Sequence, residues 1–370
     1  MLNRIQHFTF LLLLSLFIFS CAKNQELETP PVETLEFSEF LPEISLRSDC
    51  ESIRIPAGST DALAQAIADI CEGGKIYLEP GLHTETEPLT ITKSIKLIGL
   101  EEAVLRIQAP ALQLSSDSST LLAMIPALHI LDAPRTLIQN LTMEPLNEDG
   151  GAAIVLENSD ACGVMKNNMS GFQSNILIEQ SDRVVVMKNT IVSRMPWGLS
   201  GQPVAFGVLN SSGKSTYIAQ NDISGALWAI FVSDVWGTIE RNDLHDNNFG
   251  VNICGWRAAY ILPNGTIPVK EESAIDWKIK NNTIFDNMNT GILVIDGSNS
   301  NTIKNNDLSG NGMQDIELTT ITTRNGFVAT ASFENKVDAG SYPTITIKDC
   351  GNDNEIDGGV LIDTAVSICN

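Results

Sequence analysis

The chain has 370 residues, 43% of them apolar and 6% aromatic, and carries a formal net charge of −22. That length allows a sizeable core, and the acidity argues against nucleic acid as a partner, because a polyanion would be repelled. Four His and seven Cys are scattered along the chain. None falls at zinc or copper ligand spacing, so no metal or cofactor is expected.

Residues 1–20 read as an export signal. Arg4 precedes an apolar run, Phe8 to Phe19, broken only by Thr9 and Ser15. The run is short for a membrane span of about 20 residues. It ends in Ile18-Phe19-Ser20-Cys21, which resembles the bacterial lipobox; the resemblance implies thioether lipidation of Cys21 and cleavage before it. Gln25-Glu26-Leu27-Glu28 resembles the acidic surface-export tag of Bacteroidetes lipoproteins. The implied location is the cell envelope, at the outer membrane, surface-exposed or periplasmic, with membrane contact through the lipid anchor only. Residues 21–49 hold Pro30, Pro31, Pro42 and many acids against Lys23 and Arg47, which is the composition of a solvated, disordered tether.

Residues 50–100 read as a cap and first coils. Thr60 or Asp61 is placed to cap a helix running to about Cys71, with Leu63, Ile67 and Ile70 on one face and Gly73-Gly74 ending it. Short strands follow at Lys75–Leu78, Leu89–Ile91 and Ile95–Gly99. Cys50 with Cys71, and Cys350 with Cys369, are the disulfides expected to staple the two ends in an exported chain. Cys162 and Cys254 are expected as buried thiols.

Residues 101–370 are dominated by a recurring phrase, clearest from about residue 160. It reads Lys188-Asn189-Thr190-Ile191, Gln220-Asn221-Asp222-Ile223, Arg241-Asn242-Asp243-Leu244, Asn281-Asn282-Thr283-Ile284 and Asn305-Asn306-Asp307-Leu308. Looser copies centre on Asn167, Asn335 and Asn354. The eight Asn are 22, 32, 21, 40, 24, 29 and 19 residues apart, which defines a solenoid unit of roughly 20–24 residues with insertions. Alternating apolar residues on both sides of the Asn predict two short strands, with the Asn in left-handed conformation at the bend. Stacked copies would form an Asn ladder. Phrases such as Gly207-Val208-Leu209 and Gly250-Val251-Asn252-Ile253 supply a third strand per turn. Three strands per coil predict an all-β, single-stranded right-handed parallel β-helix, three short sheets wound as a solenoid, with an N-terminal helical cap.

From about Ile53 onward this pattern resembles the pectin-lyase-like β-helix superfamily. The resemblance implies a fold and leaves the activity open, since lyases, hydrolases, epimerases, tailspikes, adhesins and accessory proteins share it. The adjacent Asp pair of polygalacturonases, the Asp-Pro-His-Asp of alginate epimerases and the Arg-x-Pro-x-x-Arg of pectate lyases are absent; Arg194-Met195-Pro196 matches half of the last. Two functional readings follow. One is an envelope lipoprotein that binds or processes polysaccharide, as a lyase, epimerase, hydrolase or binding module. The other is a structural or adhesive solenoid, or an accessory protein resembling the β-helix factor of nitrous-oxide reductase copper insertion.

Strand parity places Val155, Leu177, Leu209, Phe231, Asn252, Leu293 and Glu317 on the outside of the third strand. That mostly apolar row does not look like a catalytic floor and suggests a covering loop or tether. Insertions at 194–206 and 254–275 flank it and are able to wall a cleft floored by Phe231 and Asn252. Trp197, Trp256 and Tyr260 in them are candidate sugar platforms. His245, Asp246, Asp234 and Arg257 are the candidate acid, base and charge clamp. Asp222 and Asp243 are expected as outward neighbours, able to share a Ca²⁺ or to stand as solvated like charges. Lys278, Lys280 and Lys304 read as a plain solvated strip.

Overall fold

The computed structural model describes residues 52–111, 113–115, 118–123, 125–148, 150–194, 205–254, 260–261, 273–324, 327–340, 342–362 and 369, with backbone alone for the strands at 113–123, 260–261 and 322–327. Cys21, the tether, Cys50, Trp197, Trp256 and Arg257 lie outside the described residues, and Tyr260 is placed by its backbone only.

A representative coil has three short strands, Val185–Met187, Thr190–Val192 and Phe206–Asn210. Each pairs in parallel with its equivalents in the coils before and after. The result is three parallel sheets. The first has twelve strands, from Ile53–Ile55 to Glu355–Asp357; the second has nine, from Gly81–Glu85 to Asp307–Ser309; the third has eleven, from Leu89–Ile91 to Val360–Leu361. Residues alternating inward from all three, such as Val186, Ile191, Val208, Ile218, Ile223 and Ile230, stack in a continuous dry core. The chain is thus an all-β, right-handed parallel β-helix.

The corner between the first and second sheets holds the ladder that the repeated phrase predicts. Each of Asn167, Asn189, Asn221, Asn242 and Asn282 donates from Nδ2 to Oδ1 of the Asn one coil on, at 2.9–3.1 Å. Their Nδ2 groups also donate to strand carbonyls of the preceding coil, for example Asn242 to Ile218 at 3.0 Å. The bend differs from expectation. The left-handed residue is the one before the Asn: Lys166, Lys188, Gln220, Arg241, Asn281 and Asn305 have φ of 52–58°. That placement turns a buried Asn amide inward along the stack and sends the long polar neighbour to solvent. The left-handed cost of roughly 1–2 kcal/mol per residue is offset by the amide bonds gained. Asn335 and Asn354 belong to a different ladder, which starts at Asn301 and precedes the first sheet. A third ladder, Asn247–Asn287–Asn311, fills the corner between the second and third sheets. Sequence spacing alone cannot tell which corner an Asn occupies.

The cap helix α1 spans Ala62–Asp69 and buries Leu63, Ala66 and Ile67. Its cap is not local. Asp61 has φ 54° and makes no capping bond; its carboxylate accepts from the Thr86 backbone at 2.7 Å instead. The Leu63 amide donates to Glu85 Oε1 of the second sheet at 2.7 Å, so the helix start is tied to the first coils. Burial pushes the Glu85 carboxyl up, against the lowering effect of those helix amides. Cys71 is disulfide-bonded, and Cys350 pairs with Cys369 across 5.5 Å between Cα atoms. Cys162 and Cys254 are buried thiols.

Lys280 is not part of a plain solvated strip. Its Nζ lies 2.7 Å from Glu240 Oε2, and the Glu240 side chain is 3% exposed. Tyr217 donates its hydroxyl to the same carboxylate. Burial alone would raise the Glu240 pKa, but Lys280 and Tyr217 outweigh it and hold the carboxyl below its ordinary range. Trp277, fully buried, occupies the space opened by Gly237 and donates its indole N–H to the Asp234 carbonyl at 3.1 Å.

Candidate functional site

Register confirms the outward row of the third sheet. Val155, Leu177, Leu209, Phe231, Asn252, Leu293 and Glu317 are successive Cα partners. His129 precedes Val155 in the row, and Lys348 follows Glu317 and pairs with it at 2.9 Å. The apolar middle forms its own cluster outside the solenoid core. Beside it runs a ring stack: Phe206 on Trp228 at 5.3 Å and Trp228 on Phe249 at 6.2 Å, with Phe231 edge-on to the first two. Trp228 has a ring on each face and Phe206 is buried, so neither offers a flat platform for a ligand.

The row is covered. Phe231 is 5% exposed and Asn252 3%, so the floor envisaged for a cleft is closed to solvent in this structure. The cover is legible in the backbone. Strands Gln113–Ser115 and Ser118–Ala123 form an antiparallel pair, and Tyr260–Ile261 joins it in parallel, with Tyr260 opposite Leu122 and Ile261 opposite Ala123. Ser118–Ala123 feeds the leading end of third-sheet strand Pro126–Leu131. Tyr260–Ile261 leaves the trailing end of Phe249–Cys254, five coils further on. Those ends are about 24 Å apart along the axis and about 17 Å across the sheet. The links run three Cα–Cα steps from Ala123 to Pro126 and six from Cys254 to Tyr260 and reach at most about 32 Å, so the small sheet must cross the outer face diagonally. It acts as a strap over the apolar row.

Under the trailing edge of that face runs a line of buried polar groups that sequence reasoning missed. Glu157 and Glu179 are Cα partners on successive coils, and both are buried. His129 Nε2 lies 2.9 Å from Glu157 Oε2. Burial lowers the His129 pKa more than Glu157 raises it, so the neutral ring donates its Nε2 proton to the carboxylate. Glu179 accepts from the hydroxyls of Ser211 and Ser212, and the Cys254 thiol donates to Asp296 Oδ2 at 3.2 Å. The outward parity of Glu157 and Glu179 was readable from the strand alternation; their burial was not.

Among the described residues, Asp234 and the His245–Asp246 pair lie at opposite edges of the third sheet. Asp234 is buried at the trailing corner of the third sheet with φ 63°. His245 and Asp246 lie at the end of second-sheet strand Asp243–His245, which is the leading side of the third sheet. His245 Nδ1 is 2.8 Å from Asp246 Oδ2, and Nε2 is 3.0 Å from Asp222 Oδ1. With a carboxylate at each nitrogen, both nitrogens must donate, which requires the imidazolium. Partial burial would lower its pKa, but the two carboxylates raise it overall. While both bonds are made, His245 has no free lone pair. Its ring stacks on Phe285 at 5.1 Å, a residue sequence reasoning did not single out. Asp222 and Asp243 are Cα partners on the exposed outer face of the second sheet.

These features place the chain among the right-handed parallel β-helices, and its structural neighbours are pectin-lyase-like proteins. The family 28 exopolygalacturonase of Yersinia enterocolitica matches over 84% of this chain and 76% of its own, with a TM-score of 0.56 and 10% identity. The endo-xylogalacturonan hydrolase of Aspergillus tubingensis matches over 84% and 92%, at 0.54 and 9%. ORF18 of Geobacillus virus E2 matches 82% of this chain at 0.50 and 14%, and the chain spans 56% of its length. At these identities the likeness is one of fold. The family model described as "Periplasmic copper-binding protein (NosD)" matches residues 129–264. No curated protein sequence matches the chain.

The described His and Cys of that stretch are engaged in other bonds. His129 is committed to Glu157, and His245 to two aspartates. The Cys162 thiol bonds the Ala133 carbonyl and is pushed up to about 12 by burial. Among the described residues no three His, Cys, Asp or Glu converge as a metal-binding group.

Proposed function

We propose that this chain is a lipid-anchored protein of the bacterial cell envelope that binds polysaccharide without turning it over. The observation that carries the reading is the contrast between its faces. The third sheet, where catalysis would need open titratable groups, is apolar and strapped shut. The second sheet presents hydroxyls, carboxylates and a ring pair to solvent in register from coil to coil. Coils repeat every 4.7–4.9 Å or so, close to the length of one sugar residue in an extended chain, so such a face suits a glycan lying along the axis. In this reading Cys21 holds the protein at the membrane, and residues 21–49 set the solenoid away from the lipid. Trp197, Trp256 and Tyr260 stand as further candidate sugar contacts from the insertions.

A glycan array probed with the full chain tests the binding, and incubation of each bound glycan with protein tests for turnover. Binding with no new reducing or unsaturated ends is the expected result; cleavage or epimerisation would replace this reading with an enzyme. Labelled palmitate should enter the parent protein and not Cys21→Ala. A second reading, an accessory protein of the periplasmic copper-binding type, is favoured by the match over residues 129–264. It would be supported by copper binding of the purified chain.

A further inference from the structure

We propose that the outer face of the second sheet carries a sugar subsite on the open face of Phe285, and that it takes neutral or amino sugars rather than uronates. The proposal rests on the polysaccharide reading above and assigns its contact point and ligand class.

The argument starts from register. His245, Phe285 and Ser309 are Cα partners on three successive coils. The first two rings stack along the solenoid axis, 17° from parallel. At the third position the stack stops, because Ser309 is small and exposed. Asp307–Ser309 is also the last strand of the sheet, so no further strand of it overhangs. One face of Phe285 is therefore covered by an imidazolium and the other looks into a gap one ring thick above Ser309. A pyranose offers a flat C–H face of about that thickness, which an aromatic ring accepts.

The rim of the gap decides which sugar. Asp307 precedes Ser309 on its strand, with its side chain on the same outward face. Asp286 leans over the next coil: a Cβ added at Gly310 would fall on its Oδ1. Gly310, at φ +65°, needs glycine for its backbone too. Both aspartates are exposed, and as carboxylates they only accept hydrogen bonds. They suit hydroxyl or ammonium donors and repel a sugar carboxylate. The rows around the gap, Asp222, Asp243, Thr283 and Asp307 beside Ser224, His245, Phe285 and Ser309, contain one cation. That one, His245, is held by two carboxylates already. Nothing in these rows is available to neutralise a uronate.

The test uses the full chain with three soluble probes: a neutral β-glucan oligosaccharide, a chitosan oligosaccharide and an oligogalacturonate. Titration calorimetry should show the neutral or amino probe binding at least tenfold more tightly than the oligogalacturonate. Phe285→Ala should weaken that binding tenfold or more. Ser309→Trp, which fills the gap with a third ring, should do the same while leaving the fold intact, and it carries the test if Phe285→Ala melts early. Preference for the oligogalacturonate, or binding unmoved by both variants, would overturn the subsite while leaving a polysaccharide-binding protein. Absence of binding to any glycan would overturn the polysaccharide reading with it.

Discussion

The outer faces of the second and third sheets are built on the same backbone and carry opposite chemistry. On the third, Val155, Leu177, Leu209 and Phe231 point away from the solenoid core and are nevertheless buried. On the second, Thr190, Asp222, Asp243 and Asp307 occupy equivalent outward positions and are exposed. A β-helix constrains only its inward residues and its corners; the outward rows are free to vary. An apolar outward row is therefore stable only if something covers it. Here the chain supplies the cover, from insertions that leave the coil at opposite edges. The polar row needs no cover and stays available to a partner.

The sharpest way to break the comparison is to place one charge on each face. Leu209→Asp puts a carboxylate under the strap and should cost on the order of 3–5 kcal/mol, as for other uncompensated buried charges. Val192→Asp, on the outer second sheet where Val192 is 45% exposed, should stay within about 0.5 kcal/mol. Similar melting temperatures for the two variants would mean that the strap does not seal the third sheet. Asn242→Leu probes the corner that both faces depend on. It strands the backbone N–H of Asn221 and one of its two Nδ2 protons, both of which go to Asn242 Oδ1 while the other Nδ2 proton keeps the Val186 carbonyl, at roughly 1–3 kcal/mol for each buried group left unpaired. A thermal shift no larger than that of Val192→Asp would show that the ladder contributes little.

A smaller loss is expected at Lys280→Ala, about 1–3 kcal/mol, because the buried Glu240 loses its ion pair and keeps the Tyr217 hydroxyl and the charge of Arg241. Lys278→Ala, on the same strand and exposed, is the control expected to change little. Equal shifts would return Lys280 to the solvated strip. The smallest effect is at His245. Its folded pKa is raised, so the clamp's contribution is fully present below the unfolded value of about 6.5 and lost as pH rises through the folded value. His245→Phe should melt earlier than the parent at pH 5.5, by the equivalent of about 1 kcal/mol or less. The gap should shrink as the pH is raised past the folded pKa. A gap that widens with pH would contradict the doubly bonded imidazolium.

Several features of this molecule follow from local pattern alone. Alternation places Ile176, Val208 and Ile230 inward and their neighbours outward, because successive side chains of a strand must face opposite ways. Recurrence of Asn with an apolar residue two places later implies stacked corners, since a buried amide needs partners in every coil. Cys350 and Cys369 were readable as an end staple from their position near the terminus. Other features depended on residues far apart in sequence. Asp61 is a good capping residue by type, yet the Leu63 amide is taken by Glu85 of strand Gly81–Glu85. Asn335 fits the repeated phrase, yet its coil has slipped it to another corner. Lys280 looks solvated until Glu240, forty residues earlier, is found beneath it.

What the sequence by itself determined is the solenoid, because each coil repeats the same short-range requirements of parity, turn and amide pairing. What only the tertiary structure decided is which outward face is open. Phe231 and Asn252 are outward by parity and yet buried, and the small sheet that spans that face joins strands more than a hundred residues apart. Phe285 stays only half-buried, with the small Ser309 as its partner one coil on, at the end of its sheet. His245 reads as a candidate acid or base by residue type; stacking and the turn bring the carboxylates of Asp222 and Asp246 to its two nitrogens, a pairing that the sequence does not show.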